Sequence, residues 1–289
     1  MASSLEQART EIRTRLDAVT GGVFTVRDLA EMLAACREEW GAAQSVTNKA
    51  FVQFLVKRMG LRIVDLKSER YRPVVRYARE NYSPYQMALS LRPRSYLTHG
   101  TAVLLHGLNA QLPKTIHANQ EQSVKPAGGR LTQATLDRAF AGRQRTSSYV
   151  YSLEGWRVVL LSGKQTGNFG VEPLSGPVGE DLPVTGIART LVDIVVRPAY
   201  AGGILQVIEA YRGARDRVDA GALVQTLEKL DYVYPYHQAI GFLMERAGYP
   251  AQACDKLRRL GARFDFYLIH GMKEPQYDAM WRLHYPQGL

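Results

Sequence analysis

Leu5, Ala8, Ile12, Leu16 and Val19 recur at spacings of three and four, the stripe of an amphipathic helix that Gly21-Gly22 would end. Thr25 stands three residues before Asp28 in a capping-box arrangement, and Val26, Leu29, Ala30, Leu33, Cys36 and Trp40 carry a second helix towards Gly41. Ser45 offers a cap for a third helix running to Gly60. Its Phe51, Phe54 and Leu55 mark one side, and Lys49, Gln53 and Lys57, spaced by four, line the other. The period then changes. Residues 61–66 and 72–77 are rich in Val, Ile and Tyr around the polar turn Lys67-Ser68-Glu69-Arg70, which predicts a two-stranded hairpin.

Asn81-Tyr82-Ser83-Pro84 has the composition of a connector, so the pattern predicts a small head over 1–80 and a larger body over 81–289. In the body, strands are predicted over 114–120, 147–152, 156–162, 182–186, 264–270 and 279–285. Helices are predicted over 97–107, 131–140, 187–196, 203–215, 219–230, 235–248 and 251–260. The class is α+β: three short helices and a hairpin, the order of a winged helix-turn-helix, followed by a larger mixed α+β domain.

Composition adds bounds. A chain of 289 residues, 46% hydrophobic and with a mean hydropathy of -0.22, buries one or two ordinary cores. No run approaches the roughly 18 apolar residues of a membrane span, and the first residues lack the basic-then-apolar pattern of a secretory signal, so a cytoplasmic protein is expected. Cys36 and Cys254 lie far apart within apolar helical patterns, as small hydrophobes in a reducing compartment do, with neither a disulfide nor a cysteine metal site expected.

Charge changes the picture most. The net charge of +10 invites an acidic partner, and it is unevenly spread. Between residues 45 and 79, nine bases (Lys49, Lys57, Arg58, Arg62, Lys67, Arg70, Arg72, Arg76 and Arg79) face only Asp65 and Glu69, whereas residues 181 to 289 carry 13 basic and 12 acidic side chains. In the third helix, opened by Ser45, Thr47, Asn48 and Lys49 occupy the N-terminal end that meets base edges, and Gln53 one turn on suits a bidentate contact to adenine. Lys57, Arg62, Lys67, Arg70 and Arg72 suit phosphates. The expected partner is double-stranded DNA.

No pattern predicts catalysis, a cofactor or a metal. His99 and His106, seven apart, share a face of the predicted helix without a third ligand, and His106 before Gly107 suits a bond to last-turn carbonyls. No Gly-x-Ser-x-Gly elbow occurs, and the acids of the body are dispersed. Arg189 and Asp193, four apart, read as a structural pair, and Gly202-Gly203 as a tight turn into the helix that begins at Ile204. The Tyr149-Val-Tyr151 and Tyr232-Val-Tyr234-Pro-Tyr236 clusters read as packing.

The stretch Tyr96-Leu97-Thr98-His99-Gly100-Thr101-Ala102-Val103-Leu104-Leu105-His106-Gly107-Leu108 resembles the Tyr-Ile-Ser-x-x-Ser-Ala-Leu-x-Leu-His-Gly-Leu element of the AbiEi family, antitoxins and transcriptional regulators of abortive-infection toxin-antitoxin systems. Arg189-Thr190-Leu191-Val192-Asp193, followed by Gly202-Gly203, is similar to that family's Glu-Arg-Thr-Leu-x-Asp segment and Gly-Gly pair, with Ala188 in place of the leading Glu. Tyr277-Asp278-x-x-Trp281-Arg282-Leu283 looks like its C-terminal strand ending. The resemblance implies an antitoxin and autorepressor of a bicistronic type IV operon, counteracting a nucleotidyltransferase toxin in phage defence. It also implies a head on inverted repeats upstream of its own operon, with two copies per operator. A ligand-responsive winged-helix transcription factor without antitoxin activity is the alternative. A nucleic-acid enzyme is a third reading, and it would need converging carboxylates or histidines.

Overall fold

A computed structural model describes residues 4–109, 114–124 and 130–289. Residues 1–3, on which part of the reading of the chain's start falls, lie outside the described residues. The chain is a mixed α+β fold, with helices leading and a larger mixed sheet region following.

The first predicted helix is two, α1 (Ser4–Gln7) and α2 (Arg9–Asp17), separated at Ala8, where ψ is 16°. A short strand β1 (Val23–Phe24) follows, then α3 (Val26–Cys36). Thr25 caps α3 through the expected box: its hydroxyl accepts from Asp28 N at 3.1 Å, and Asp28 Oδ2 accepts from Thr25 N at 2.7 Å. The next helix, α4 (Asn48–Met59), ends at Gly60, whose φ of +74° favours glycine there. Strands β2 (Arg62–Leu66) and β3 (Val74–Ala78) form the hairpin. The strand begins after Pro73, two residues later than predicted, because proline has no N–H for a ladder. β3 is central in an antiparallel sheet of order β1-β3-β2, with Ile63 opposite Tyr77 and Asp65 opposite Val75.

The predicted connector is a loop over 81–83 that leads directly into a helix the pattern does not predict, α5 (Pro84–Leu89). Ser83 caps it by accepting from Gln86 N at 3.2 Å, and Pro84 takes the first position, where a missing N–H costs nothing. Then come β4 (Tyr96–Leu97), α6 (Gly100–Leu105), β5 (Thr115–Glu121), α7 (Gln133–Ala141), β6 (Val150–Leu153), β7 (Trp156–Gly163), β8 (Val171–Ser175) and β9 (Asp181–Thr185). The helices α8 (Ile187–Val196), α9 (Ile204–Ala214), α10 (Ala220–Leu230), α11 (Tyr236–Arg246) and α12 (Ala251–Arg258) follow, with a 3-10 turn at Pro198–Ala201, and β10 (Phe266–Tyr267), β11 (Gln276–Asp278) and β12 (Leu283–Tyr285) close the chain. The larger sheet has the order β6-β7-β5-β4-β9-β8, the smaller β10-β12-β11.

Residues divide into two compact units. The first runs to Ser95 and adds 149–158 and 173–182; the second holds the remainder. The head predicted over 1–80 is therefore only part of the first unit. Lys67 pairs with Ser152 as an isolated antiparallel bridge, and Gln86 Nε2 donates to the Asp181 carbonyl at 3.0 Å, so the later segments are bonded into it. The core of the first unit joins Ile12, Leu29, Leu33, Phe51 and Leu55, all fully buried. In the second unit α8 is buried along most of its length, and Leu191, Val192 and Ile194 pack with Val207, Ile240 and Phe242. Cys36 and Cys254 are buried free thiols.

Candidate functional site

In the first unit, Asn48, Lys49, Gln53 and Lys57 all lie exposed on α4, while Phe51 and Leu55 on the opposite side are fully buried. The helical period thus separates core from display as the sequence predicts. The cap differs. Thr47, not Ser45, opens the helix: Thr47 Oγ1 accepts from Ala50 N at 3.1 Å, and Ser45 lies in a turn in which Val46 N donates to the Ala43 carbonyl at 2.9 Å. Arg37 holds the lead-in to α4 in place, donating to the carbonyls of Ala43 at 2.7 Å and Val46 at 3.0 Å.

The cations of this unit fall into two sets. Arg62, assigned to phosphates by sequence, is tied instead to Glu154 at 2.5 Å, a carboxylate that also accepts from Tyr82 OH at 2.9 Å. Arg76 bonds Ser90 through Nε at 2.9 Å, and Arg79 pairs with Asp17 at 3.0 Å. By contrast Lys49, Lys57, Lys67, Arg70 and Arg72 are exposed, and among the described residues no acidic side chain pairs with them. The hairpin that carries the last three is braced: Ser152 N donates to the Lys67 carbonyl at 2.7 Å, and Tyr71 stacks on Tyr149 with ring centroids 4.3 Å apart.

Beside α4 the sequence reading missed an apolar groove of about 450 Å³. Val52, Val56, Ile63, Tyr77 and Val26 line it, and Lys49, Gln53 and Lys57 stand on its wall. Val26 is 52% and Ile63 55% exposed. The available signal was the row Asn48, Val52, Val56, which runs at i, i+4 beside the row of Lys49, Gln53 and Lys57.

In the second unit Thr98 of the first family-like element and Arg189 and Asp193 of the second come together in a buried polar network, which, among the described residues, the element at 277–283 does not join. Tyr96 lies in β4, paired with Asn119 of β5, and Leu97 pairs in parallel with Val184 of β9. The helix predicted over 97–107 therefore loses its first turn to a strand. His99 follows at φ +51°, so it sits before α6 rather than on a face with His106. His106 does not serve its own helix's carbonyls: its Nε2 lies 2.8 Å from the Thr185 carbonyl oxygen. Gly107 ends the helical segment at φ +65°. Thr101 accepts from His117 N at 2.7 Å, joining α6 to β5.

Arg189 Nε donates to Asp193 Oδ1 at 2.9 Å, and its Nη1 donates to the Phe169 carbonyl at 2.8 Å. The Thr98 hydroxyl donates to Asp193 Oδ2 at 3.1 Å, and Thr190 Oγ1 donates to the Thr185 carbonyl at 2.8 Å. Burial pushes the Asp193 carboxyl up, against the pull of Arg189, Thr98 and Tyr232. Burial disfavours charge on Arg189 too, yet Asp193 beside it raises the guanidinium above its ordinary value, so we read the pair as ionised. Burial also opposes the Glu121 carboxylate, but bonds from Thr166 and from the backbone of Asn168 and Gly167 hold it below the usual range. His99, buried and near Arg197 and Arg189, is lowered to about 3 and stays neutral at physiological pH. Asn119, Glu121, Thr166 and Tyr232 were not foreseen, because they come from segments that no spacing connects.

Gly202 and Gly203, at φ +85° and +100°, turn the chain from the 3-10 segment into α9. Trp281 is 2% exposed, donates from Nε1 to Glu245 Oε2 at 2.8 Å, and precedes β12 rather than lying within the strand predicted over 279–285. The Tyr232–Tyr236 cluster packs edge-on around Phe266 and Phe140. Among the described residues no group of three or more His, Cys, Asp or Glu is placed to hold a metal, and no helix is long and apolar enough to cross a membrane.

No family model and no curated protein matches the chain. Among solved structures it is similar to the crystal structure of the RV2827C protein from Mycobacterium tuberculosis, with a TM-score of 0.55 at 15% identity, covering 91% of this chain and 86% of that one. A likeness at that identity establishes a shared fold over nearly the whole of both chains.

Proposed function

We propose that this protein is a double-stranded-DNA-binding autorepressor, with α4 as the recognition helix and the β2–β3 hairpin as the wing of a winged helix-turn-helix head. The observation that carries this reading is the split among the cations. Those on α4 and the hairpin tip stand exposed and, among the described residues, unmatched by acids, while others of the same segment are consumed in internal bonds. An exposed, uncompensated cationic surface bearing Asn48 and Gln53 has the chemistry of phosphate and base-edge contact. On the family resemblance we further propose that the protein is the cytoplasmic antitoxin of a bicistronic type IV operon. It would counteract a nucleotidyltransferase toxin, with two copies on inverted repeats of the operator.

The test uses the full chain. The adjacent gene is expressed alone, with the wild-type protein, and with a Lys49→Ala, Gln53→Ala, Lys57→Ala triple variant, while a reporter follows the operon's promoter. Wild type is expected to rescue growth and repress the reporter, and the triple variant to rescue growth without repressing. A harmless neighbour, or a toxic one that wild type never rescues, overturns the antitoxin role; a reporter that wild type leaves unrepressed overturns the repressor role.

A further inference from the structure

The surface proposed to meet DNA is not uniformly polar. Two adjacent rows run along the exposed side of α4: Lys49, Gln53 and Lys57 in one, and Asn48, Val52 and Val56 in the other. The valines are only half-buried, and the hairpin adds Ile63, 55% exposed, to the same groove. Val52 packs its inner side against the core that Phe51 and Leu55 fill, yet it, Val56 and Ile63 keep apolar surface facing the groove.

The DNA major groove displays one apolar group, the 5-methyl of thymine. An A·T pair presents adenine N7 and N6 at one end of its edge and the thymine methyl at the other. An amide-and-cation row beside an apolar row matches that edge in order: Gln53 to adenine, and Val52 and Val56 to the methyl of its partner base. Lysines at both ends of the polar row flank the contact, and their positive charge complements the phosphates on either side.

We infer that Val52 and Val56 of α4, in the groove that Ile63 of the hairpin helps to line, read thymine methyl groups, so that the operator carries A·T pairs beneath the middle turns of this helix. The inference rests on the DNA-binding reading and deepens it by naming the base chemistry recognised.

The test starts from duplexes randomised over about two helical turns, from which wild-type protein selects its preferred sequence. That sequence is then made with thymine or with 2′-deoxyuridine at each A·T position, a change that deletes only the methyl, and affinity is read by fluorescence anisotropy. Replacement at one or more central positions is expected to weaken binding about fourfold per methyl, the equivalent of ~0.8 kcal/mol. A Val52→Ala, Val56→Ala variant is expected to bind the thymine and deoxyuridine duplexes equally, which separates direct contact from altered DNA shape. Should that variant fail to fold, Val52→Thr, Val56→Thr keeps the shape and replaces one methyl of each side chain by a hydroxyl, and it is expected to lose most of the discrimination. Equal binding of both duplexes by wild type overturns the methyl readout while leaving DNA binding intact. Discrimination that persists in the valine variants overturns the assignment to this row. If wild type retains no duplex at all, the DNA-binding reading itself falls and this inference with it.

Discussion

Gly241 lies in α11 directly beneath the indole of Trp281, and a Cβ built on it would stand 2.0 Å from Trp281 Cη2. The indole is fixed by its bond to Glu245 and has no open side to retreat to. Gly241→Ala is therefore expected to lose roughly 1–3 kcal/mol by overpacking, read as a fall in Tm. Arg189 and Asp193 make a second residue-scale case. Arg189→Met would leave a buried carboxylate without its main partner, with an expected loss of about 3–5 kcal/mol in denaturant titration. Adding Asp193→Asn should restore part of it, because the orphaned charge is gone. His99 gives a pH signature. Its ordinary value of 6.5 falls to about 3 in the folded chain, mainly through burial. Between those values the unfolded chain holds a proton that the folded chain does not, so stability falls on acidification below pH 6.5, by up to about 1.4 kcal/mol per pH unit. His99→Asn, which suits the φ of +51° and does not titrate, should show a shallower fall in Tm over the same range.

At the scale of elements, what was legible in the sequence is what local chemistry controls. Thr25 with Asp28 announced α3, Gly60 ended α4, and the shift from period 3.6 to Val-, Ile- and Tyr-rich runs announced the hairpin. The misreadings came where two local signals competed or where the partner was distant. The sequence offers Ser45 as the cap of α4, but the hydroxyl that reaches Ala50 N is that of Thr47, two residues on. The helix predicted from 97 begins at Gly100 because Tyr96 and Leu97 are claimed by β5 and β9, strands twenty and more residues away. The same distance effect ties up Arg62, one of the residues assigned to phosphates from sequence, since Glu154 is invisible to any pattern around the hairpin. This yields a discriminating prediction. Alanine at Lys67, Arg70 or Arg72 should each lower the salt-dependence slope of DNA binding by about one phosphate contact, while Arg62→Ala should leave the slope unchanged.

At the scale of the whole molecule, charge asymmetry was visible from counting, but the interleaving of the chain was not. A cut at residue 80 looks natural from Ser83-Pro84, yet the first unit reaches Ser95 and includes 149–158 and 173–182. Point variants in the full chain are therefore better probes of function than truncations at that boundary, which would divide a compact unit. The family-like elements were found as separate words along the chain. The meeting of the first two through Thr98, Asp193, Arg189 and Thr166 depends on contacts across scores of residues that no spacing encodes. The most direct measurement of the central claim is fluorescence anisotropy of the full-length protein on DNA from upstream of its own gene, alongside the Lys49→Ala, Gln53→Ala, Lys57→Ala variant, with circular dichroism and Tm to verify folding. The account predicts salt-sensitive, saturable binding by wild type and its loss in the folded triple variant. Undiminished binding by that variant would contradict α4 as the DNA-reading element.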